Sequence, residues 1–324
     1  MSPPACRCWS RSSSSTSNTS RCWSGRDWDE HGHLVLDPSH ALETYHGRNA
    51  TDIICALRVN LEGLLALPDA WIPPERKTRY REWLTRLPPL NFRERDGHRT
   101  LAPVAGEAGP IGNYEIPQLY PIFPYGIYGL GRPGLEIARD TWRHGVDPCL
   151  GPEPWTPPRP GDKPWYPARQ YWYGWTQLAI WMARLGLAAE AKEYVAKKLD
   201  DARPGNEFDV PERRRLPTFW GPGFDWTPDH NWGGSGMIAL QEMLLQTPGD
   251  RILLLPAWPK DWNVDFKLHA PAQTVVLCHF EDGELRTTSV VPSARAHDVT
   301  NWLQHPDTLE TTSPTQLYPN GGSR

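Results

Sequence analysis

Apolar residues recur at helical spacing in several separate stretches of the chain. After Thr51, a good N-cap residue, come Ile54, Leu57, Leu61, Leu64 and Leu65, which predict a helix with one buried face. A second helix is predicted from Pro74, with Tyr80, Trp83, Leu84 and Leu87 on one stripe and Pro88 and Pro89 as its stop. Together these make an antiparallel pair. A third helix follows Pro133 and ends near Gly145. A second helical hairpin is expected over about 168–185 and 187–200, with Trp172, Trp175, Leu178, Ala179, Met182 and Leu185 on its first arm and Gly186 at the join. A further helix, about 233–247, is announced by Gly233, Gly234 and Gly236 and carries Met237, Leu240 and Leu244.

The period then changes. RILLLPAW reads as a buried strand, FKLHA as another, and TVVLCHF and ELRTTSVV flank Asp282-Gly283, a strong hairpin signal. Upstream, LVLDPSH from Leu34 to His40 is a short extended segment. NFRERDGHRTLAPVAGEAGP, with its Asp96-Gly97 turn, reads as a turn-rich linker. The expected organisation is a disordered low-complexity leader over 1–27, a helical domain over 28–250, a small antiparallel β module over 251–300 and a flexible tail over 301–324. Helices in pairs with aromatic loops at one end predict a mainly α fold of the α/α-toroid type. No repeat of fixed period supports a solenoid.

Composition narrows the function. The net charge is −4 and Lys and Arg are scattered, so nucleic acid is not an expected partner. No apolar run reaches the ~18 residues of a membrane helix, and the leader lacks the apolar centre of a secretory signal. Among the six cysteines no paired zinc spacing occurs, and Cys55, Cys149 and Cys278 read as isolated core thiols. His31, His33, His40 and His46 lack a companion carboxylate loop and read as solvated loop histidines, so no metal or other cofactor is expected. The Tyr128–Gly131 cluster follows no strand and has no GxGxxG pattern, which removes a nucleotide site. Trp and Pro, at 17 and 35, are the outliers, and many of the tryptophans lie in loops.

The densest such region runs from Thr218 to Trp262. Asp225 and Asp229 lie there among Trp220, Trp226 and Trp232, in a loop rich in Pro and Gly. Flat aromatic faces suit the apolar C–H faces of sugars, while carboxylates and amides suit the hydroxyls and can carry out glycoside cleavage. Asp229 equally suits an N-cap for the helix that follows, and the tryptophans equally suit a filler between helices. In NYEIPQLY, Asn113, Glu115, Gln118 and Tyr120 offer sugar contacts. Glu115 and Gln118 alternatively satisfy backbone groups in a loop broken by prolines.

The run GMIALQEMLLQTPGDRILLLPAWPKDWNVDFKLHAPAQTVV, preceded by PDHNWGG, resembles the C-terminal half of the six-hairpin glycosidases of glycoside hydrolase family 95, the inverting α-L-fucosidases, and their relatives. HGHLVLDPSHALET and NYEIPQLYPIFPY are similar to further family segments, and the likeness spans roughly 26 to 300. It implies an (α/α)6 toroid in which Glu43, from the PS…E segment, is the general acid. Matching D-x-N-aromatic-G puts the general base on Asp229, with Asn231, Trp232 and Gly233 in step, and His230 joins the sugar contacts. Counting back from EMLLQ lands instead on Asn231, with Asp225 in reserve. The implied substrate is an oligosaccharide or polysaccharide, cleaved without a cofactor. The family's upstream asparagines have no counterpart here, which favours the rival expectation of an inactive or truncated remnant that binds carbohydrate at most. A closed ring needs twelve helices, whereas periodicity and caps place about six or seven. The chain is therefore expected to be part of a larger toroid and to self-associate through exposed apolar surface.

Overall fold

The computed structural model describes residues 28–106, 108, 111, 115–147, 177–200 and 230–303, without the side chains of residues 197, 200, 230 and 232. The expectations for the leader 1–27, for 168–176 with Trp172 and Trp175, for Cys149, for the loop 218–229 and for the tail from 304 onward lie outside the described residues.

The first elements are two short strands, β1 (Ser39–Ala41) and β2 (Tyr45–Gly47), paired antiparallel with Ala41 opposite Tyr45. Ala41 and Tyr45 point into the core, and the outward pair His40 and His46 meet edge to face with ring centroids 4.2 Å apart. Helix α1 (Thr51–Ala66) buries Ile54, Cys55 and Leu61. Thr51 is its first residue and not its cap. The Thr51 hydroxyl donates to the Ala102 carbonyl at 2.6 Å and its N–H to the Pro103 carbonyl at 2.9 Å, so a neighbouring loop supplies the acceptors that a capping side chain would otherwise provide.

Helix α2 (Pro74–Thr85) begins at Pro74 as its sequence predicts. The expected apolar stripe is not its buried face, since Trp83 is 47% exposed and the one buried residue inside the helix is Lys77. The Lys77 ammonium donates to the Leu67 carbonyl and pairs with Asp69 at 2.7 Å, which ties α2 to the turn before it. The segment read as a linker folds instead into a hairpin, β3 (Phe92–Arg95) and β4 (His98–Leu101), around Asp96 (φ 51°) and Gly97 (φ 80°). Positive φ at both central residues is the primed-turn geometry that Asp-Gly favours. With few apolar residues to alternate, the strands had little periodicity to show.

Helix α3 (Leu135–Asp140) runs on into a π-helical turn, Thr141–Gly145, and both lie against β4. Helices α4 (Leu178–Arg184), α5 (Ala188–Asp200) and α6 (His230–Leu244) pack on one another, and Leu178 to Ala183 are buried without a break. Arg184 joins α4 to its surroundings. It pairs with Glu242 of α6 at 2.7 Å, donates to the Ile122 carbonyl at 3.2 Å and lies over the Phe123 ring. Gly233, Gly234 and Gly236 lie inside α6 and do not precede it, because the helix already begins at His230.

From α6 the chain passes directly into β5 (Leu245–Gln246), antiparallel to the buried strand β6 (Ile252–Leu254). The last strand, β10 (Val299–Asn301), pairs parallel on the other edge of β6. Between them β7 (Val264–Ala270), β8 (Thr274–Glu281) and β9 (Glu284–Val291) form an antiparallel meander, with the β8–β9 turn at Asp282-Gly283 as expected. In β8 alternate residues Val276, Cys278 and Phe280 face the core.

The expectation of a mainly α toroid, (α/α)6 or part of one, is overturned. About 38% of the described chain is helix and 24% strand, the latter divided among four small sheets. The physical reason is that strand segments of two to four residues at 39–47, 92–101, 245–246 and 299–301 are too short to display a period of two. They are held by turns and by burial.

The α4–α5 join is a complete left-handed helix stop. Gly186 (φ 72°) donates to the Ala183 carbonyl and Leu187 donates to the Met182 carbonyl. A Cβ on Gly186 would stand 2.9 Å from a Leu130 methyl. Gly186→Ala is therefore expected to lower unfolding free energy by about 1–2 kcal/mol in urea titration. Gly63→Ala, mid-helix and with nothing within 4 Å of the new methyl, should raise it by roughly 0.5–1 kcal/mol.

Candidate functional site: a carboxylate and tyrosine cluster

Asp52 lies in the first turn of α1, where its short acceptor side chain can serve unpaired N–H groups. It is only 6% exposed, and one carboxylate oxygen accepts the Leu42 N–H at 3.3 Å. Burial is the largest influence and holds its pKa above the ordinary 3.8, although the N–H groups of Leu42, Ile53 and Asp52 itself oppose the shift. Its other oxygen, Oδ1, has no hydrogen-bond partner among the described residues.

Glu115 stands just before a short 3-10 turn, Pro117–Leu119, that a proline opens. Its Oε1 accepts the Tyr120 hydroxyl at 3.2 Å. Burial raises the Glu115 pKa above the ordinary 4.5. The charges of Glu43 and then Asp52 push it further, against the Tyr120 hydrogen bond. Tyr120 and Tyr125 are held above the ordinary phenol value as well. Burial leads in both cases, with Glu115 next for Tyr120 and Asp52 next for Tyr125. Tyr120 also lies 6.4 Å from the Tyr125 ring and 6.2 Å from the Trp181 ring, centroid to centroid.

Glu43 occupies the exposed tip of the β1–β2 hairpin, beside Leu42, whose φ is 51°. The hairpin carrying it is anchored below the tip, where the Tyr45 hydroxyl donates to Asp147 at 2.5 Å. Asp147 also accepts from Arg95 at 2.9 Å and Arg93 at 3.4 Å. Three acids and two phenols thus converge from the β1–β2 tip, the start of α1 and the segment 115–125. Such a group can hold a proton on a carboxyl above its usual range beside aromatic faces suited to an apolar ring surface.

Of the residues selected from sequence, Glu43, Glu115 and Tyr120 come together here. Gln118 does not face outward to a sugar. It is fully buried, its amide nitrogen lies 3.5 Å from the Tyr45 hydroxyl and donates to the Gly145 carbonyl at 3.4 Å, so it supports the fold behind the cluster. Asn231 is exposed on the first turn of α6. Asn113, Trp220, Asp225, Trp226 and Asp229 lie outside the described residues, as do the side chains of His230 and Trp232. Asp52, Tyr125 and Trp181 were not selected. An Asp following a capping-type Thr at a helix start was the visible sign of the first, but it reads as ordinary helix-terminal charge.

A cavity of about 230 Å³ lies elsewhere, lined in part by Tyr128, Arg132, Arg184, Glu242 and His269, and shares no lining residue with the cluster. Arg184 is already committed to Glu242 there. Among the described residues no helix is long and apolar enough to cross a membrane. A scan against protein-family models finds no matching family, and a search of curated proteins finds no match.

The raised Glu115 carboxyl carries a definite sign. Its folded pKa exceeds the unfolded one, so its contribution to stability is fully present below about pH 4.5 and is lost as pH rises through the raised value. Glu115→Gln should match the unaltered chain in urea midpoint near pH 4 and exceed it increasingly toward pH 8. A constant offset across that range would separate Glu115 from the cluster's electrostatics.

Proposed function

We propose that the Glu43–Asp52–Glu115 cluster is the acid side of a glycoside-hydrolysing site that works with inversion. One observation carries the proposal. Carboxyl groups from the β1–β2 tip, the start of α1 and the segment before Pro117 come together beside the Tyr120 and Tyr125 rings. The likeness of the PS…E, NYEIPQLY and EMLLQ segments to inverting α-L-fucosidases supports the same reading.

In the proposed reaction the Glu43 carboxyl gives its proton to the glycosidic oxygen as the C1–O bond breaks. Water attacks C1 from the opposite face and yields its proton to the Asp229 carboxylate. Glu115 offers its carboxyl to a ring hydroxyl, and Tyr120 and Tyr125 offer their faces to the sugar. No metal is needed for either proton transfer.

The test is a screen with aryl α-L-fucoside, α-galactoside and plant oligosaccharides, with the anomer of the first product read by NMR. Turnover with inversion is expected. Glu43→Gln should suppress hydrolysis of poor leaving groups at least about a hundredfold and of activated aryl glycosides far less, since only the former need a proton. Equal loss on both would remove Glu43 as the acid, and saturable sugar binding without turnover would make the cluster a carbohydrate-recognition surface.

A further inference from the structure

Away from the carboxylate cluster, three potential metal ligands converge from three elements. His98 opens β4, Asp140 ends α3, and His144 lies in the π-helical turn. One ligand atom from each lies within 4.8 Å of the other two. His98 Nδ1 and Asp140 Oδ2 are 3.1 Å apart, close to the ~3.3–3.5 Å that separates donors around a tetrahedral ion with bonds of about 2.0–2.2 Å. The His98 and His144 rings stack in parallel, 3.9 Å between centroids and 3° between planes, so one imidazole must turn about its side-chain torsions for in-plane nitrogen lone pairs of both to meet one ion.

We infer that His98, Asp140 and His144 form a binding site for a divalent transition-metal ion of the zinc class. Two imidazoles and one carboxylate are a donor set that favours zinc-like ions over magnesium or calcium, which take oxygen ligands. Asp96, at the tip of the β3–β4 turn, has Oδ2 3.9 Å from His144 Nδ1 and can close the fourth position directly or through water. The three side chains are 42%, 24% and 29% exposed, so an ion can enter from solvent.

The frame that holds the ligands is rigid. The Leu101 N–H of β4 donates to the Thr141 hydroxyl at 2.9 Å, and that hydroxyl donates to the Ile137 carbonyl at 2.6 Å. Arg93 of β3 donates to the Gly145 carbonyl, and a Cβ on Gly145 would meet Thr100 at 2.9 Å, so the π-helical turn is pressed against the hairpin. The turn itself supplies the spacing. Extra residues in a helical turn re-aim side chains, and such turns recur at functional sites. An ion here would staple the β3–β4 hairpin to α3 and stabilise the fold by linkage.

The experiment titrates zinc chloride into the chelator-stripped full chain at pH 7.5 by calorimetry and repeats it with His98→Gln and His144→Gln. Each variant should lose one zinc equivalent or bind it at least tenfold more weakly, whatever the cysteines of residues 1–27 take up. The control His40→Gln/His46→Gln should leave binding unchanged, and magnesium should not compete. Zinc should raise the thermal midpoint of the unaltered chain. If either variant fails to fold by circular dichroism, Co²⁺ absorption bands of the unaltered chain report nitrogen ligation directly. Equal zinc stoichiometry and affinity in both folded variants, or featureless Co²⁺ spectra, would overturn the site and leave a His98–Asp140 ion pair.

Discussion

Helix α1 begins inside the protein, and much of the structure around it is a response to that fact. A helix N-terminus leaves N–H groups without intrahelical acceptors, and burying them unpaired is costly. Here no capping side chain serves them. The Thr51 N–H is taken by Pro103, the Ala50 N–H by the Ser39 hydroxyl at 3.1 Å, and the Asp52 carboxylate accepts from backbone around itself. Asn91 ties the same junction from the other side, donating to the Asn49 carbonyl and to the Thr51 hydroxyl. Each acceptor comes from a different stretch of chain. The two hairpins are therefore fixed relative to α1 by the needs of its first turn.

That solution has an electrostatic consequence. A carboxylate placed at a buried helix start is stabilised by N–H groups but has lost most of its water, and for Asp52 the second effect is the larger. Its charge then acts on Glu115, Tyr120 and Tyr125. Asp147 plays the complementary part on the far side of the β1–β2 hairpin. With Arg93 and Arg95 beside it and the Tyr45 hydroxyl donating to it, its charge is compensated, and burial followed by that hydrogen bond raises the Tyr45 pKa. One acid is neutralised by cations and locks the hairpin. The other is left with fewer partners and tunes its neighbours.

How much of this was legible in the sequence depended on the length over which each pattern ran. The start of α2, the stop at Gly186 and the Asp282-Gly283 hairpin were readable, because each is set by neighbours in sequence, whereas Thr51 marked where α1 begins without being its cap, since its partners are Ala102 and Pro103. The Asp96-Gly97 hairpin carried the same turn dipeptide but was read as a linker, since FRER and HRTL offer almost no apolar alternation. The mainly α architecture failed for that reason repeated: β1, β2, β5 and β10 are two or three residues long and exist because of their surroundings. The α2 stripe misled in the opposite direction, for Trp83 sits at helical spacing yet faces solvent while Lys77 is buried against a carbonyl. At the site, Glu43, Glu115 and Tyr120 were found through motifs. Asp52 was not, because its importance arises from burial, which no local pattern records. Gln118 had the right chemistry and the wrong side of the backbone.

The three histidine and aspartate ligands near the β3–β4 hairpin and the carboxylate cluster also differ in kind. At the cluster Asp52 is placed by a helix start that must be satisfied, and Glu43 and Glu115 approach it from the β1–β2 tip and from the segment before Pro117. Around His98, Asp140 and His144 no comparable backbone need exists. The Leu101, Thr141 and Arg93 hydrogen bonds already close the contact between hairpin and helix. Two stacked imidazoles beside a carboxylate therefore add little that the frame requires, and a pair of rings in parallel contact would repel if both were protonated. His98 Nδ1 lies 3.1 Å from Asp140 Oδ2, and no residue of that group belongs to the carboxylate cluster around Asp52 and Glu115, so the two clusters are built independently.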